Sequence, residues 1–526
     1  MLDQERGLYI AHCAKGALSI TGKMANRHGL IAGATGTGKT VTLQVMAETF
    51  SQAGVPCFMA DMKGDLSGIS QVGKMSGFIE KRLPEFGIEN PEFQTCPVRF
   101  YDVYGEQGHP MRATVSQMGP LLLSRILQLN ETQAGILNIL FRLADEQGLL
   151  LDDLKDLRSM LNWIGDHAKE ITLKYGTVTA MSIGAIQRAI LQLENQGADK
   201  FFGLPSFDIY DLLQCEGGKG VMSVLAADKL MMQPKLYSTF LLWLLSELYT
   251  TLPEVGDMEL PKLVFFFDEA HMLFTDTSKA LLDKIEQVIR LVRSKGVGIY
   301  FITQSPADIP ENILGQLGNR VQHALRAYTP KDQKAVKTAA DTFRANPEFK
   351  TDEAIMNLET GEALVSFLDE KGAPNVVERA KVLFPLSQIG AITEGQRIDI
   401  IKQSRIYGKY DTPTDRESAF EVLLKEAEET ALAEREAAEV AENEKAEKKE
   451  EKKKPGIVSK VFKAIITAIT STLAAILGTY VSDKVTGKKT KSRTSATGRV
   501  VKNATSAATR SATRELTRDI LGNLIK

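Results

Sequence analysis

The feature that most constrains the fold is a glycine-rich turn between an apolar run and a helical run, in the stretch GLIAGATGTGKTVTLQ at residues 29–44. Four of its residues match the pattern GxxxxGK[ST]: Gly33, Gly38, Lys39 and Thr40. Glycines let successive N–H groups approach phosphate oxygens, the lysine reaches the β- and γ-phosphates, and the threonine hydroxyl ligates Mg²⁺. The pattern therefore predicts a strand, a phosphate loop and a helix that closes on Gly54, with these contacts to a nucleoside triphosphate: Gly33, Thr35, Gly36, Thr37, Gly38, Lys39 and Thr40.

A pair of acids follows a strongly apolar run in the stretch KLVFFFDEAH. Five consecutive apolar residues predict a central strand covered on both faces, which ends at the edge of the sheet where open α/β folds bind ligands. Asp268 could there hold Mg²⁺ together with Thr40, and Glu269 could polarise an attacking water, which favours hydrolysis. The alternative is an acid pair that only caps the next helix.

The segment GVGIYFITQSP predicts a neighbouring strand that ends with Thr303 and Gln304. An amide at that position could sense the γ-phosphate or orient water, and the alternative is a polar residue that merely ends a strand. The helix before this strand leaves Arg290 and Arg293 away from its buried face. Such an arginine could complete a neighbouring subunit's site, although a solvated charged face explains the pattern more simply.

The stretch FMADMKGDLSG leaves three charged residues just past another strand end. Asp61, Lys63 and Asp65 either belong to the active site or form a plain turn, and the sequence leaves both interpretations open. An NKxD-type guanine-reading motif is absent from the sequence, which disfavours a GTPase.

Short apolar runs alternate with longer helical patterns from Gly29 to about Leu383, which predicts an α/β fold with a mostly parallel sheet covered by helices. A late hairpin is expected to turn at residues 369–372. The chain is expected to have an ATPase core in two parts, residues 1–112 and 201–385, separated by a helical insertion at residues 113–200. A charged helical linker is expected at residues 386–454, followed by a basic tail with an apolar helix at residues 455–526.

The charge of the chain is unevenly distributed. Net charge is only −2, yet the tail from Pro455 onward has thirteen Lys/Arg against three Asp/Glu. This end could contact phosphates without reading sequence, or it could simply be disordered and solubilising. Within it, residues 464–482 are uncharged and long enough to span a bilayer, but threonines and serines dilute their hydrophobicity.

Four scattered cysteines without a CxxC pair suggest neither a disulfide framework nor a zinc site. The N-terminus carries charged residues before any apolar run, which is wrong for a signal peptide. We therefore predict a cytoplasmic protein, with membrane association through residues 464–482 as the alternative.

Taken together, the stretches GATGTGKT, DMKGD, VFFFDEAH, RLVRSKGVGIYFITQSPADIP and LGQLGNRVQHALRAYTP resemble the HerA/FtsK group of P-loop ATPases. The likeness is to the HerA-like helicase C-terminal domain in particular, over about residues 8–382. It implies a RecA-like fold, hexameric rings, and ATP hydrolysis at subunit interfaces coupled to DNA movement through a central channel. The matching positions are Lys39 and Thr40 for Walker A, Asp268 and Glu269 for Walker B, Gln304 for the sensor, Arg293 for an arginine contributed in trans, and Arg320 for an arginine of open role.

The sequence thus predicts a ring-forming ATPase motor, a homo-hexamer, that acts on DNA and uses ATP and Mg²⁺ as cofactors. Thr40 and Asp268 are the predicted metal ligands, and the predicted catalytic residues are Glu269, Lys39, Gln304 and Arg293. The alternative is a membrane-associated ATPase that acts on protein rather than nucleic acid.

Overall fold

The computed structural model of the protein covers most of the region in which the motifs lie. Its described residues are 2–3, 7–256, 258–275 and 279–451. The apolar stretch 464–482 and the rest of the basic tail lie outside them. In the part of the chain that is described, no helix is both long and apolar enough to cross a membrane.

The chain divides into two compact units, and every element of the candidate site lies in the first. That unit comprises residues 1–145 and 149–420, and the second comprises residues 146–148 and 421–526. The described part of the second unit is mainly a long helix rich in Ala, Glu and Lys, whose described side chains are largely exposed.

Several strands form where the sequence has short apolar runs between turn residues. Their bounds are β1 Leu2–Asp3, β2 Gly7–Cys13, β3 Gly16–Ile20, β4 Gly29–Ala32, β5 Cys57–Asp61, β6 Val98–Asp102, β7 His109–Pro110, β8 Cys215–Glu216, β9 Lys219–Gly220, β10 Met222–Ala226, β11 Leu263–Phe267, β12 Val297–Thr303, β13 Asn319–Gln322, β14 Glu362–Ser366 and β15 Glu378–Val382.

Thirteen strands of the described chain build one sheet in the order β1-β2-β15-β14-β13-β4-β12-β11-β5-β10-β6-β7, with β3 paired to β2. Neighbouring strands from β13 to β7 run parallel. The remaining strands of this sheet pair antiparallel. The mostly parallel sheet confirms the predicted fold class. The predicted late hairpin is β14–β15, with a turn closed by Gly372 N donating to Asp369 O at 2.9 Å.

Helices cover both faces of this sheet, as the alternating pattern predicts. The helices of the described chain, counted over both units, are α1 Lys39–Gln52, α2 Gly77–Phe86, α3 Val115–Ile126, α4 Glu131–Gln147, α5 Leu154–Asp166, α6 Ala168–Tyr175, α7 Ala180–Asn195, α8 Asp228–Met231, α9 Pro234–Thr251, α10 His271–Phe274, α11 Lys279–Val292, α12 Glu311–Leu314, α13 Pro330–Asp341, α14 Thr351–Met356, α15 Glu394–Gln403 and α16 Ala419–Glu451.

The central strand β11 explains how the sheet holds two helical layers. All five of its residues are buried, and successive side chains point to opposite faces. Val264 and Phe266 share a core with Phe50 of α1. On the other face Phe267 lies 5.3 Å from Phe301, which in turn lies 6.0 Å from Phe274 of α10, measured between ring centroids. A strand apolar at every position is therefore fixed in the middle of the layers.

Two segments differ from the sequence-based expectation. The predicted strand VQHALRA is reduced to the last two residues of β13, although the His323 N–H still donates to Ala32 O of β4 at 2.7 Å. The His323 ring lies beneath the phosphate loop, where it bonds Thr42 and Glu362. The stretch predicted as the start of a charged linker packs on the core as far as residue 418. Its Ser387 is buried against Glu48 of α1, which accepts the Ser387 N–H at 3.0 Å.

Candidate active site

The phosphate loop joins β4 to α1 and is held on both sides by its neighbours. Gly33 N donates to Thr303 O at 3.2 Å, and Ala34 N donates to Ala324 O at 2.8 Å. Gly33 has a φ of 155°, and a Cβ added to it would lie 2.5 Å from the Cβ of His323. Only glycine fits this contact, which is why the pattern begins with one.

The donors of the loop are arranged as the predicted phosphate site requires. The N–H groups of Thr35, Gly36, Gly38, Lys39 and Thr40 have no hydrogen-bond acceptor among the described residues. The Lys39 ammonium folds back over the loop and donates to Gly33 O at 2.8 Å and to Ala34 O at 3.1 Å. Free amides at a helix N-terminus beside a lysine form an anion site.

The hydroxyls of the loop have different roles. Thr37 is buried and its hydroxyl donates to Ala34 O at 2.7 Å, so this side chain shapes the turn. Thr40, in the first turn of α1, has an exposed side chain, so its hydroxyl is available to a ligand. The predicted magnesium ligand is therefore accessible.

The acid pair lies where β11 ends, with one strand, β12, between it and the strand of the phosphate loop. This extra strand is the arrangement that the family resemblance implies. Glu269 has a φ of 48°, a left-handed conformation that is uncommon for a residue with a side chain. Its N–H donates to Asp268 Oδ1 at 2.9 Å. Backbone strain of this kind clusters at functional sites because the surrounding structure must enforce it.

Charge couples the loop to the acid pair. Burial and the neighbouring Glu269 raise the pKa of Asp268 to about 7, while Lys39 acts in the opposite direction. Burial lowers the pKa of Lys39, and Glu269 and Asp268 oppose that shift. The lysine and both acids thus lie within electrostatic reach of one another, and they share one edge of the sheet.

The strand β12 brings its two polar residues to the same edge, with different surroundings. Thr303 is buried, and its hydroxyl donates to Asp308 Oδ2 at 2.9 Å, so it stabilises the turn after the strand. Gln304 follows directly and is exposed. Gln304 is therefore the side chain that a ligand or a neighbouring subunit could reach, and its sensor role stays a prediction.

The loop after β5 also belongs to this edge. Lys63 contributes to lowering the pKa of Lys39, and Asp65 contributes to raising the pKa of Asp268. Asp61 is 2% exposed, and burial followed by the charge of Asp65 raises its pKa to about 6. Of the two interpretations that the sequence left open, the geometry favours a place in the active site.

The three arginines of the motifs have separate surroundings. Arg290 is exposed and pairs with Glu286 one turn earlier, at 2.6 Å, which fits a solvated face. Arg320 is largely buried and donates to three backbone carbonyls, Leu317 O at 2.8 Å, Leu314 O at 2.9 Å and Thr342 O at 2.6 Å. It therefore has a structural role, which the sequence left open.

Arg293 lies just before β12 begins, at the amino edge of the parallel strands, whereas the phosphate loop follows the carboxyl end of β4. It is half-buried, and its charge contributes to the lowered pKa of His28, the residue before β4. Within its own subunit Arg293 is thus at the opposite edge of the sheet from the loop. Its predicted role in trans is a statement about a neighbouring subunit and stays a prediction.

Sequence analysis missed His323, which supports the loop from below. Its Nδ1 lies 2.9 Å from Glu362 O and its Nε2 lies 2.8 Å from Thr42 Oγ1. A carbonyl only accepts, so Nδ1 carries the proton and Nε2 is the acceptor for the threonine hydroxyl. A histidine in the motif LGNRVQHALR was visible, but no spacing rule connects it with Thr42, 281 residues earlier.

A second missed contact joins the helical insertion to the helix that follows the acid pair. Arg125 of α3 donates to Ser238 Oγ at 2.9 Å and to the carbonyls of Met272 and Leu273 at 3.5 and 3.4 Å. Both carbonyls belong to α10, which begins two residues after Glu269. The insertion therefore contacts the helix that directly follows the acid pair.

The residues present fit a magnesium-bound nucleoside triphosphate. Besides the free amides, Glu269 Oε2 is buried and makes no hydrogen bond with a described residue, although His271 Nδ1 lies 3.3 Å away. An acceptor held in this way can bind a polar group of a ligand or a water. The described residues contain no group of three or more His, Cys, Asp or Glu that could hold a metal. Mg²⁺ nevertheless needs only one or two protein ligands when phosphates supply the rest.

Known proteins resemble this chain at the level of a family and, over short stretches, at the level of individual sequences. Two curated relatives are both described as DNA double-strand break repair helicase HerA. The one from Sulfolobus acidocaldarius is 30% identical over 99 residues, which are 19% of this chain and 19% of the relative. The other, from Sulfurisphaera tokodaii, is 32% identical over 109 residues, 20% of this chain and 21% of its own. The chain therefore spans about a fifth of the length of the curated relatives it matches.

Among solved structures, the bacterial conjugative coupling protein TrwBdeltaN70 is similar with 16% identity and a TM-score of 0.47, over 74% of this chain and 92% of its own. A model of the family described as Helicase HerA-like C-terminal matches residues 8–526. That match includes the phosphate loop, the acid pair and the strand between them. The chain belongs to the Helicase HerA-like C-terminal family of P-loop ATPases.

Proposed function

We propose that the protein hydrolyses ATP with Mg²⁺ and uses the free energy to move DNA. One observation supports hydrolysis above all: Lys39 of the phosphate loop and the acids Asp268 and Glu269 share one edge of the sheet and influence one another's charge. Phosphoryl transfer needs little covalent chemistry from a protein, and its catalysis depends on positioning and on charge stabilisation. The arrangement supplies both.

Each residue of the site would have a distinct task. The loop amides and Lys39 would hold the phosphates, and Thr40 and Asp268 would hold Mg²⁺, which supplies neutralisation of phosphate charge when bound. Glu269 would orient the attacking water and accept its proton, since its buried Oε2 accepts no hydrogen bond from the described part of the chain. Gln304, exposed at the end of β12, would respond to the γ-phosphate.

Arg293 would stabilise the transition state in a neighbouring subunit, which requires a ring. Its position at the amino edge, away from the loop of its own subunit, is consistent with action in trans. We propose a homo-hexamer, in keeping with the family resemblance. An arginine supplied in trans makes hydrolysis depend on assembly, because no subunit then has a complete site by itself.

The moved polymer is proposed to be DNA because the relatives with partial matches carry the description of DNA double-strand break repair helicases. The basic tail of the sequence, from Pro455 onward, could add phosphate contacts that fall steeply with salt. Such contacts need no sequence recognition, which suits a motor that moves along a polymer.

The test is the ATPase rate of the purified chain with double-stranded DNA, single-stranded DNA, RNA and liposomes, each against no addition. We expect DNA to stimulate turnover several-fold, and Lys39→Ala to abolish the rate in every arm. Sedimentation of the protein with and without ATP would report the ring. Stimulation by liposomes alone would favour the membrane-associated alternative, and wild-type protein that ignores ATP would refute the proposal altogether.

A further inference from the structure

The loop that follows β5 brings a cation to the candidate active site that the proposed mechanism does not use. Strand β5 pairs in parallel with β11, with Met59 opposite Phe266. Two residues further along each strand, Asp61 and Asp268 therefore end neighbouring strands at the same edge. Lys63 follows two residues after Asp61 and has an exposed side chain. Its position is next to the acids rather than next to the phosphate-loop strand.

The loop is built to hold this lysine in place. The buried Asp61 accepts the Ser67 N–H through Oδ2 at 3.1 Å, and Ser67 Oγ donates to Gly64 O at 2.6 Å. Gly64 has a φ of 78°, which lets the chain reverse directly after Lys63. The short 3₁₀ helix Asp65–Ser70 that follows packs against α1. Both ends of the turn are thus anchored, to β5 and to the helix of the phosphate loop.

The Lys63 ammonium is available to a ligand, as far as the described part of the chain shows. It has neither an ion pair nor a hydrogen bond with a described residue. Its charge nevertheless reaches the phosphate loop, since it adds to the effects that lower the pKa of Lys39. Two ammonium groups that repel each other would both be stabilised in their charged forms by an anion bound between them.

We propose that Lys63 is a second phosphate-binding cation of this site and contacts the γ-phosphate of a bound nucleoside triphosphate. The inference rests on the proposed function, because it takes the ligand to be a triphosphate. The loop amides lie toward β4, whereas the acids that would act on the γ-phosphate lie on β11, beside Lys63. Lys63 should therefore distinguish ATP from ADP, while Lys39 and the loop amides serve both.

The test is nucleotide affinity in a Glu269→Gln background, which keeps ATP intact during the measurement. Dissociation constants for ATP and ADP, both with Mg²⁺, are measured by calorimetry in this parent protein and after adding Lys63→Ala or Lys63→Arg. The matched control is Lys74→Ala, which removes another exposed lysine after the same 3₁₀ helix. Unchanged thermal unfolding shows that each variant is folded.

We expect Lys63→Ala to weaken ATP binding about tenfold, as the loss of one charge-assisted hydrogen bond would, and to change ADP binding less than twofold. Lys63→Arg should restore most of the affinity for ATP, and Lys74→Ala should change neither. An equal loss for both nucleotides, or no loss, in a parent that binds ATP would overturn the assignment of Lys63 alone. A parent that binds no ATP would overturn the proposed function as well.

Discussion

Mild acid should weaken this protein through a buried histidine that lies beneath the phosphate loop. His323 is fully buried, and burial, opposed by its bond to Glu362 and reinforced by Lys39, lowers its pKa to about 4. In the unfolded chain a histidine titrates near pH 6.5. Between these two values the unfolded chain binds a proton that the folded protein excludes, so stability is present above about pH 6.5 and is lost as the pH falls toward 4.

The size of the effect follows from the two pKa values. Integrated from pH 7 to pH 5, one such histidine lowers the free energy of unfolding by about 2 kcal/mol. His28 offers an independent case, since burial lowers its pKa to about 4 as well. It accepts the Ile299 N–H through Nδ1 at 3.0 Å and lies near the other edge of the sheet. The two contributions should therefore be nearly additive.

Urea unfolding followed by tryptophan fluorescence measures this in wild type, His323→Gln, His28→Asn and the double variant. Gln and Asn keep one hydrogen-bonding group each but do not titrate, so the comparison is between slopes with pH and not between absolute stabilities. Between pH 7 and pH 5, the free energy of unfolding of each single variant should fall by about 2 kcal/mol less than that of wild type. For the double variant the difference from wild type should be about twice as large. Parallel curves for all four proteins would refute the reasoning.

Three further predictions concern turnover. Glu269→Gln should leave the affinity for ATP within about threefold while turnover falls at least about a hundredfold, as expected for the loss of a general base; an equal loss of binding and turnover would mean that the acid is structural. Mixing inactive Arg293→Ala subunits with inactive Lys39→Ala subunits should partly restore ATPase activity, because each subunit supplies what the other lacks, and a silent mixture would contradict action in trans. Arg125→Ala should lower turnover more than ATP affinity by freeing the carbonyls of α10 after Glu269, whereas unchanged kinetics would show that this contact does not position the acid.

Local sequence patterns were sufficient to predict the phosphate loop, the strand before it and the helix after it. Its glycines adopt the backbone angles that only glycine tolerates readily, and α1 ends at Gln52, two residues before the expected stop at Gly54. The run at residues 263–267 predicted a central strand for a similar reason, because a segment apolar at every position is stable only between two covered faces. These features show in the residue types of one segment, as glycines at strained backbone angles or as an unbroken apolar run, which is why spacing predicts them.

Only the tertiary structure decided which distant residues meet at the loop. His323 bonds Thr42 across a separation of 281 residues, and Arg125 reaches the helix after the acid pair across about 147. The pattern around Lys63 left a plain turn and a place in the active site equally open, and the register of β5 against β11 places this loop beside Asp268. A periodic pattern reports what one segment must bury, whereas strand order and register determine which buried and charged groups become neighbours.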